Sequence, residues 1–331
     1  MRPLPSMTET VAIRRVKGRY QIKRLLASGG QCRVYLALDE AHAGRRVVLK
    51  NLKIRSSASA DAQSEVSLFR QEGLILSRVA HPSLPAFVDA FEDEGGHYVV
   101  EEFVGDVTLE SRLRRTARGL DAKEVAWVGH RLLDLLVALH GQHPAILLRD
   151  IKPSNIMCLI DGHGVVRRDA EVWFIDLTIA QEYVPNRADE VKMGTPGYAP
   201  PEQYRGRTQP SSDLYALGVT MFAALTGHEP AKTPFRLPPL STLRDDLSQG
   251  WEDFFARACA LDPASRFATA REMRAALERL MAPAACAGPI DMGRRAARRG
   301  RRLMPSGSFG LLITVAALVV LIAVAVLAIC L

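Results

Sequence analysis

The segment Arg149-Asp-Ile-Lys-Pro-Ser-Asn155 constrains this chain more than any other, because within seven residues it sets a carboxylate, an ammonium and a carboxamide on a proline-stiffened loop. An Asp can accept a hydroxyl proton, a Lys can neutralise charge on a moving phosphoryl group, and an Asn oxygen can ligate magnesium. The loop follows Val125, Val128, Leu132, Leu135 and Leu139, whose helical spacing predicts one buried stripe behind an Asp121-Ala-Lys-Glu124 capping box. That helix has no chemistry of its own. It gives the loop a rigid support.

Upstream, Tyr20-Gln-Ile22 and Val34-Tyr-Leu36 read as strands joined by Ala27-Ser-Gly-Gly-Gln-Cys32. Glycines there let backbone N–H groups approach phosphates, although many such turns merely join strands. Val47-Val-Leu-Lys50 is a third strand ending in a lysine, which alone would be a solvated edge charge. The next helix, however, places Leu68, Glu72, Ile75 or Leu76 and Val79 on one face, where an unpaired carboxylate would be costly. Lys50 is its natural partner. Two further strands, 86–91 and 97–103, follow the turn His81-Pro-Ser-Leu-Pro85, and Val172-Trp-Phe-Ile-Asp176 is an apolar strand ending in a carboxylate. That Asp is either a metal ligand or a turn former.

With Asp176-Leu177 and Gly194-Thr-Pro-Gly-Tyr-Ala-Pro-Pro-Glu202-Gln-Tyr204 downstream, residues 18–280 resemble the bacterial, Hanks-type Ser/Thr protein kinases, closest to a subset without His before Arg-Asp. The resemblance implies an α+β, two-lobed protein-kinase-like fold, with a β-rich lobe at 18–105, a helical lobe at 106–280, and ATP with Mg2+ between them. It makes Asp150 the base or hydroxyl-orienting group, puts Lys152 on the γ-phosphate, and assigns Asn155 and Asp176 to the metal. Glu72 would hold Lys50 against the α- and β-phosphates, and Thr195 would bond Asp150 and Lys152. Ala27, Ser28, Gly29, Gly30 and Val34 would cover the nucleotide, and the backbone of Glu102 to Val104 would meet adenine. Glu202 would anchor to Arg266, and Asp213 would hold the catalytic loop backbone.

Several positions depart from that pattern. The glycine-rich turn has Ala27 and Cys32 where the family has Gly, which implies a looser cover over the phosphates. By the same resemblance Glu101 would stand at the back of the adenine pocket, where the family has an apolar residue, and would narrow or repolarise it. Leu148 replaces a His, and Thr178 replaces the Gly after Asp176-Leu177, where a β-branched residue restricts the backbone. From Ile179 to Gly194 there is no Ser or Thr to phosphorylate, so Asp189 and Glu190 are expected to pair with Arg149 instead.

Charge sits at the two ends. Residues 281–331 carry +5 and the first seventeen +3, so the total of +7 leaves −1 between them. A nearly neutral globular part argues against nucleic-acid binding. Cysteines 32, 158, 259, 286 and 330 form no C-x-x-C pair, so neither zinc nor a disulfide framework is expected, and a reduced cytosolic compartment fits. Residues 1–17 read as a loose basic arm without a secretory signal. Residues 281–308 read as an Arg-rich linker, and 309–331 is an uncharged apolar run. At about 1.5 Å per residue that run reaches roughly 34 Å, enough for one C-terminal transmembrane helix. The arginines before it place the kinase on the cytoplasmic side and favour anionic lipids. No extracellular sensor domain is expected, and Ala316, Ala317, Ala323, Ala325 and Ala328 permit helix pairing, hence a homodimer.

The expected function is therefore transfer of the ATP γ-phosphate to Ser or Thr hydroxyls of protein substrates at the membrane face. Lys152 and Thr195 resemble the Ser/Thr rather than the Tyr class. The rival is a membrane-tethered pseudokinase scaffold, favoured by Ala27, Cys32, Glu101, Leu148 and Thr178.

Overall fold

Six strands form one antiparallel sheet in the order β1-β2-β3-β4-β6-β5. They are β1 (Arg15–Val16), β2 (Tyr20–Ser28), β3 (Cys32–Asp39), β4 (Arg45–Leu52), β5 (Phe87–Asp93) and β6 (Gly96–Glu102). The structure, a computed structural model, describes residues 14–29, 32–53, 59–116, 118–158, 171–189 and 193–282. The expectations for the arm at 1–13, Gly30, Glu190, the linker beyond Ala282 and the apolar span 309–331 lie outside these residues. Among the described residues, no helix is long and apolar enough to cross a membrane.

Strand alternation sorts β4. Val47 and Leu49 are buried on one face with Tyr20, Ile22, Ala37, Tyr98 and Val100, where Phe91 stacks between Tyr20 and Tyr98 at centroid distances of 5.6 and 5.2 Å. A period of two sends Lys50 to the other face, between Val34 of β3 and Val99 of β6 in register. Helix α1 (Ser59–Arg78) packs on that same face. Its buried stripe is Phe69, Glu72, Ile75 and Leu76, continued by Val79 just past its end, with Leu68 only half-buried. Glu72, Ile75, Leu76 and Val79 thus share the buried face as expected, and Phe69 rather than Leu68 extends it, three residues before Glu72.

The second lobe contains α2 (Leu109–Leu113), α3 (Ala122–His140), α4 (Pro201–Tyr204), α5 (Pro210–Thr226), α6 (Gln249–Ala258) and α7 (Ala270–Met281). Two short antiparallel pairs run beneath them: β7 (Ala145–Leu147) with β10 (Gln181–Tyr183), and β8 (Ile156–Cys158) with β9 (Val172–Phe174). In α3, the side chain of Asp121 caps the Lys123 N–H, and Val125, Val128, Leu132, Leu135 and Leu139 are buried. Every residue of α5 from Ser211 to Leu225 is buried, as for a helix surrounded by protein on all sides. Any carboxylate on it must therefore find internal partners. Asp213 does so on the loop that follows β7.

Candidate active site

The loop after β7 owes its shape to Asp213 on α5. Its carboxylate accepts from the Leu148 N–H at 3.0 Å and the Arg149 N–H at 2.8 Å, and stands 3.0 Å from His140 Nε2. Arg149 has a φ of +66°, a left-handed conformation that a non-glycine residue adopts only under outside constraint. The constraint comes from those two bonds and from Gln203 Nε2, which donates to the Arg149 carbonyl at 2.8 Å. Leu148 itself is buried in the core, so the position without His does packing work, and His140 supplies an imidazole to Asp213.

Asp150, Lys152 and Thr195 form a closed triangle. Lys152 Nζ donates to Asp150 Oδ2 at 2.7 Å and to Thr195 Oγ1 at 2.9 Å, and the Thr195 hydroxyl donates to Asp150 Oδ1 at 2.6 Å. Thr195 reaches this point from 45 residues downstream because the segment 194–204 turns tightly. Gly197 there has a φ of +87°, and a Cβ on it would come within 2.5 Å of the Ala231 nitrogen, so only glycine fits. The segment is pinned by Arg266, which grips Glu202 with both guanidinium nitrogens at 2.6 and 3.1 Å in the interior, while Ser212 Oγ adds a third bond at 2.7 Å.

Asn155 Nδ2 donates to the Asp150 carbonyl at 2.9 Å and to Asp150 Oδ2 at 3.0 Å. Holding the nitrogen there fixes the orientation of the carboxamide oxygen. The Ile175 N–H donates to the Asn155 carbonyl at 3.0 Å, joining the end of β9 to this loop and bringing Asp176 with it. A carboxylate and a carboxamide are hard oxygen donors that suit magnesium, which takes its other ligands from phosphate and water. Among the described residues there is no cluster of three or more His, Cys, Asp or Glu side chains that would hold a metal alone.

Lys50 is almost fully buried. Its ammonium lies 2.6 Å from Glu72 Oε1, 2.9 Å from the Ile175 carbonyl and 3.1 Å from Glu101 Oε1. Burial opposes its charge, but Glu101, Glu72 and Asp176 outweigh burial and hold its pKa above the ordinary lysine value. Burial pushes the Glu101 carboxyl up to about 7 against the pull of Lys50. Thr178 closes the group, with its hydroxyl donating to Glu72 Oε2 at 3.2 Å and its N–H to Asp176 Oδ1 at 3.0 Å.

The remaining expected nucleotide contacts lie at the lip. Ala27, Ser28 and Gly29 are exposed, and Lys53 Nζ ties the turn down through Ser28 Oγ and the Gly29 carbonyl, both at 2.8 Å. Val34 is half-buried opposite Lys50, and burial pushes the nearby Cys32 thiol up to about 11. Glu102 ends β6 and Val104 follows it, half-buried. The Glu102 N–H already donates to the Ala86 carbonyl at 2.9 Å, so that amide is engaged within the sheet. Arg149 points away from the triangle, with its guanidinium donating to Gln181 at 2.9 Å and to Asp189 at 3.3 Å.

Sequence reasoning had missed Lys53, Gln203, His140 and the partners of Glu101 and Thr178. Gln203 directly follows Glu202, and its place one residue after the anchor was the only signal it gave. For Lys53 and His140 there was none.

Residues 20–276 match the family model for the protein kinase domain. The chain is 30% identical over 275 residues to the serine/threonine-protein kinase PrkC of Bacillus subtilis, covering 79% of this chain and 40% of that protein. It is 32% identical over 276 residues to the serine/threonine-protein kinase PknA of a Nostoc species, covering 78% and 47%. The chain thus spans less than half the length of these relatives. In shape it is similar to the crystal structure of the Mycobacterium tuberculosis PknI kinase domain, with a TM-score of 0.63 at 24% identity over 81% of this chain and 98% of that one.

Proposed function

This chain belongs to the protein kinase family, and on that premise we propose that it transfers the γ-phosphate of ATP to Ser or Thr hydroxyls of proteins. The single observation that carries the reading is the closed triangle of Asp150, Lys152 and Thr195, with Asn155 bonded to the same carboxylate. Asp150 is set to orient the acceptor hydroxyl and take its proton, and Lys152 to neutralise the oxygens of the moving group. Asn155 and Asp176 would hold magnesium. When bound, the ion neutralises phosphate charge and aligns the leaving oxygen. Lys50, fixed by Glu72, would meet the α- and β-phosphates. Catalysis of this kind is positioning and charge stabilisation, which needs side chains already in place before substrate arrives.

We also infer that the chain is anchored in the cell membrane by 309–331 with the kinase on the cytoplasmic side. The uncharged 23-residue run and the six arginines at 294–302 support this reading, and they favour anionic lipids as its surroundings. Partners would be protein substrates at that face, and pairing of two copies through the span is compatible with its alanines. Retention in alkali-washed membranes by the full chain, and its loss when 309–331 is removed, checks the anchor.

The pseudokinase reading is favoured by Glu101, which places a second carboxylate on the lysine that phosphates need. The two readings part on one experiment: full-length protein with magnesium and radiolabelled ATP, beside Asp150→Ala and Asp176→Ala. Incorporation by the unaltered chain alone supports the kinase. No incorporation supports the scaffold, and equal incorporation in all three samples identifies a contaminant and defeats the assignment.

A further inference from the structure

A lysine ammonium has three N–H bonds and no more. Lys50 Nζ donates hydrogen bonds to Glu72 Oε1 and to the Ile175 carbonyl, and Glu101 Oε1 forms a further ion pair with it at 3.1 Å. A phosphate oxygen arriving at Lys50 must therefore compete with the Glu101 carboxylate for the remaining N–H and for the ammonium charge. The Ile175 carbonyl is fixed because the N–H of the same residue donates to Asn155. Glu72 is held at both ends, by Lys50 through one oxygen and by Thr178 through the other. Glu101 makes the longest of the three contacts and belongs to the strand beside the nucleotide's expected place.

We propose that Glu101 sets the nucleotide affinity of this chain by occupying Lys50 where an ATP phosphate would bind, so that ATP must displace its carboxylate. The inference rests on the kinase reading and deepens it. Charge favours the same conclusion. Glu72, Glu101 and Asp176 surround one ammonium, so phosphates enter a site that is already negative, and taking away one carboxylate lowers that barrier. Glu101 is thus a specificity-determining residue that acts on the phosphates through Lys50, and it makes the enzyme respond to ATP only at higher concentration.

The test is calorimetric titration of the full-length protein, in detergent with magnesium, by ATP and separately by adenosine, which has no phosphate. Glu101→Gln keeps the shape and removes the charge. Glu101→Leu is the second variant, and thermal melting confirms that each is folded. The expected result is a dissociation constant for ATP about tenfold lower in both variants, with adenosine changed less than twofold. An ATP constant that is unchanged or higher while the unaltered protein binds ATP overturns the proposal and leaves the kinase reading standing. An equal shift for ATP and adenosine also overturns it, since Glu101 would then act on the base. Absence of ATP binding in all three proteins overturns the kinase reading and the proposal together.

Discussion

Lys50 Nζ stands 2.6 Å from Glu72 Oε1 with both side chains inside the protein, but the pair is not isolated, because Glu101 lies on the same ammonium at 3.1 Å. Removing either member has unequal consequences. Lys50→Met strands two like-charged buried carboxylates, and we predict a loss of about 3–5 kcal/mol, the usual cost of breaking a buried ion pair. Glu72→Gln leaves Lys50 with Glu101, so its loss should be about 1–2 kcal/mol. Both should lower phosphoryl transfer by at least about a hundredfold, since the lysine is no longer fixed. Urea denaturation beside a kinase assay measures both, and equal destabilisation by the two changes would show that Glu101 gives no compensation.

The Arg149 guanidinium bonds Asp189, whose carboxylate also accepts from Gln181 Nε2 at 2.7 Å and from the Thr208 N–H at 3.1 Å. Both side chains of the Arg149–Asp189 pair are at most 2% exposed. We predict that this standing buried carboxylate takes the place of an added phosphate, in a segment with no Ser or Thr between Ile179 and Gly194. We predict full activity after phosphatase treatment, and a loss of about 3–5 kcal/mol in stability for Asp189→Ala. Phosphosite mapping with an assay before and after treatment decides. Inactivation by phosphatase would defeat the idea.

What was legible in the sequence, and what was not, divides by distance along the chain. Asp150, Lys152 and Asn155 sit on one short loop, so their joint chemistry could be read from spacing alone. Thr195, Glu202 and Arg266 were placed by resemblance, because their meeting depends on how α5 and α7 fold back. The target of Glu101 was hidden, since it follows from the register that sets Lys50 beside Val99, two residues from Glu101 and therefore on the same face. The buried face of α1 was legible from Glu72 to Val79, but Leu68 and Phe69 stand four and three residues before Glu72 and both fit the helical period, so only packing selects Phe69. In the sequence Thr178 signals only a stiff backbone. Its hydroxyl became informative once Glu72 had a position.

Asp39 gives the lobe of strands a pH dependence. Arg19 clamps its carboxylate with two bonds of 2.7 Å, and His42 adds a contact at 2.8 Å. The hydrogen bonds from Arg19, above all, hold its pKa down to about 2 from an ordinary 3.8. A depressed acid binds fewer protons in the folded state, so its contribution is complete above pH ~4 and is lost as pH falls towards about 2. The full amount is about 2 kcal/mol. Comparing the urea midpoints of the unaltered protein and Asp39→Asn, we predict a gap that is widest near pH 6 and narrows steadily below pH ~4. A gap independent of pH would rule out this linkage.

Arg266 and Glu202 form a bidentate pair with neither partner appreciably exposed, fixing the platform that carries Thr195. Arg266→Met should cost about 3–5 kcal/mol by leaving Glu202 charged and buried, whereas Arg266→Met combined with Glu202→Leu should recover much of that loss. Denaturation of the single and double variants tests the coupling, and simple additivity of the two losses would refute it.

Thr178 joins the segment after β9 to α1, since its N–H holds Asp176 and its hydroxyl holds the oxygen of Glu72 that Lys50 does not use. It touches neither the expected phosphates nor the acceptor, so it is a positioning residue, and the hydroxyl and the β-branch must be separated to see its effect. Thr178→Val keeps the branch and loses the bond. A hydrogen bond to a charged acceptor contributes about 1.5–3 kcal/mol, so kcat should fall by roughly tenfold to a hundredfold. Thr178→Ser keeps the bond and loses the branch, and it should stay within about threefold of the unaltered protein. Because Glu72 and Lys50 then drift together, the KM for the acceptor should hold steady while kcat falls. If Val and Ser behave alike, the residue matters for backbone shape alone, and the bond between Thr178 and Glu72 does not support the transfer step.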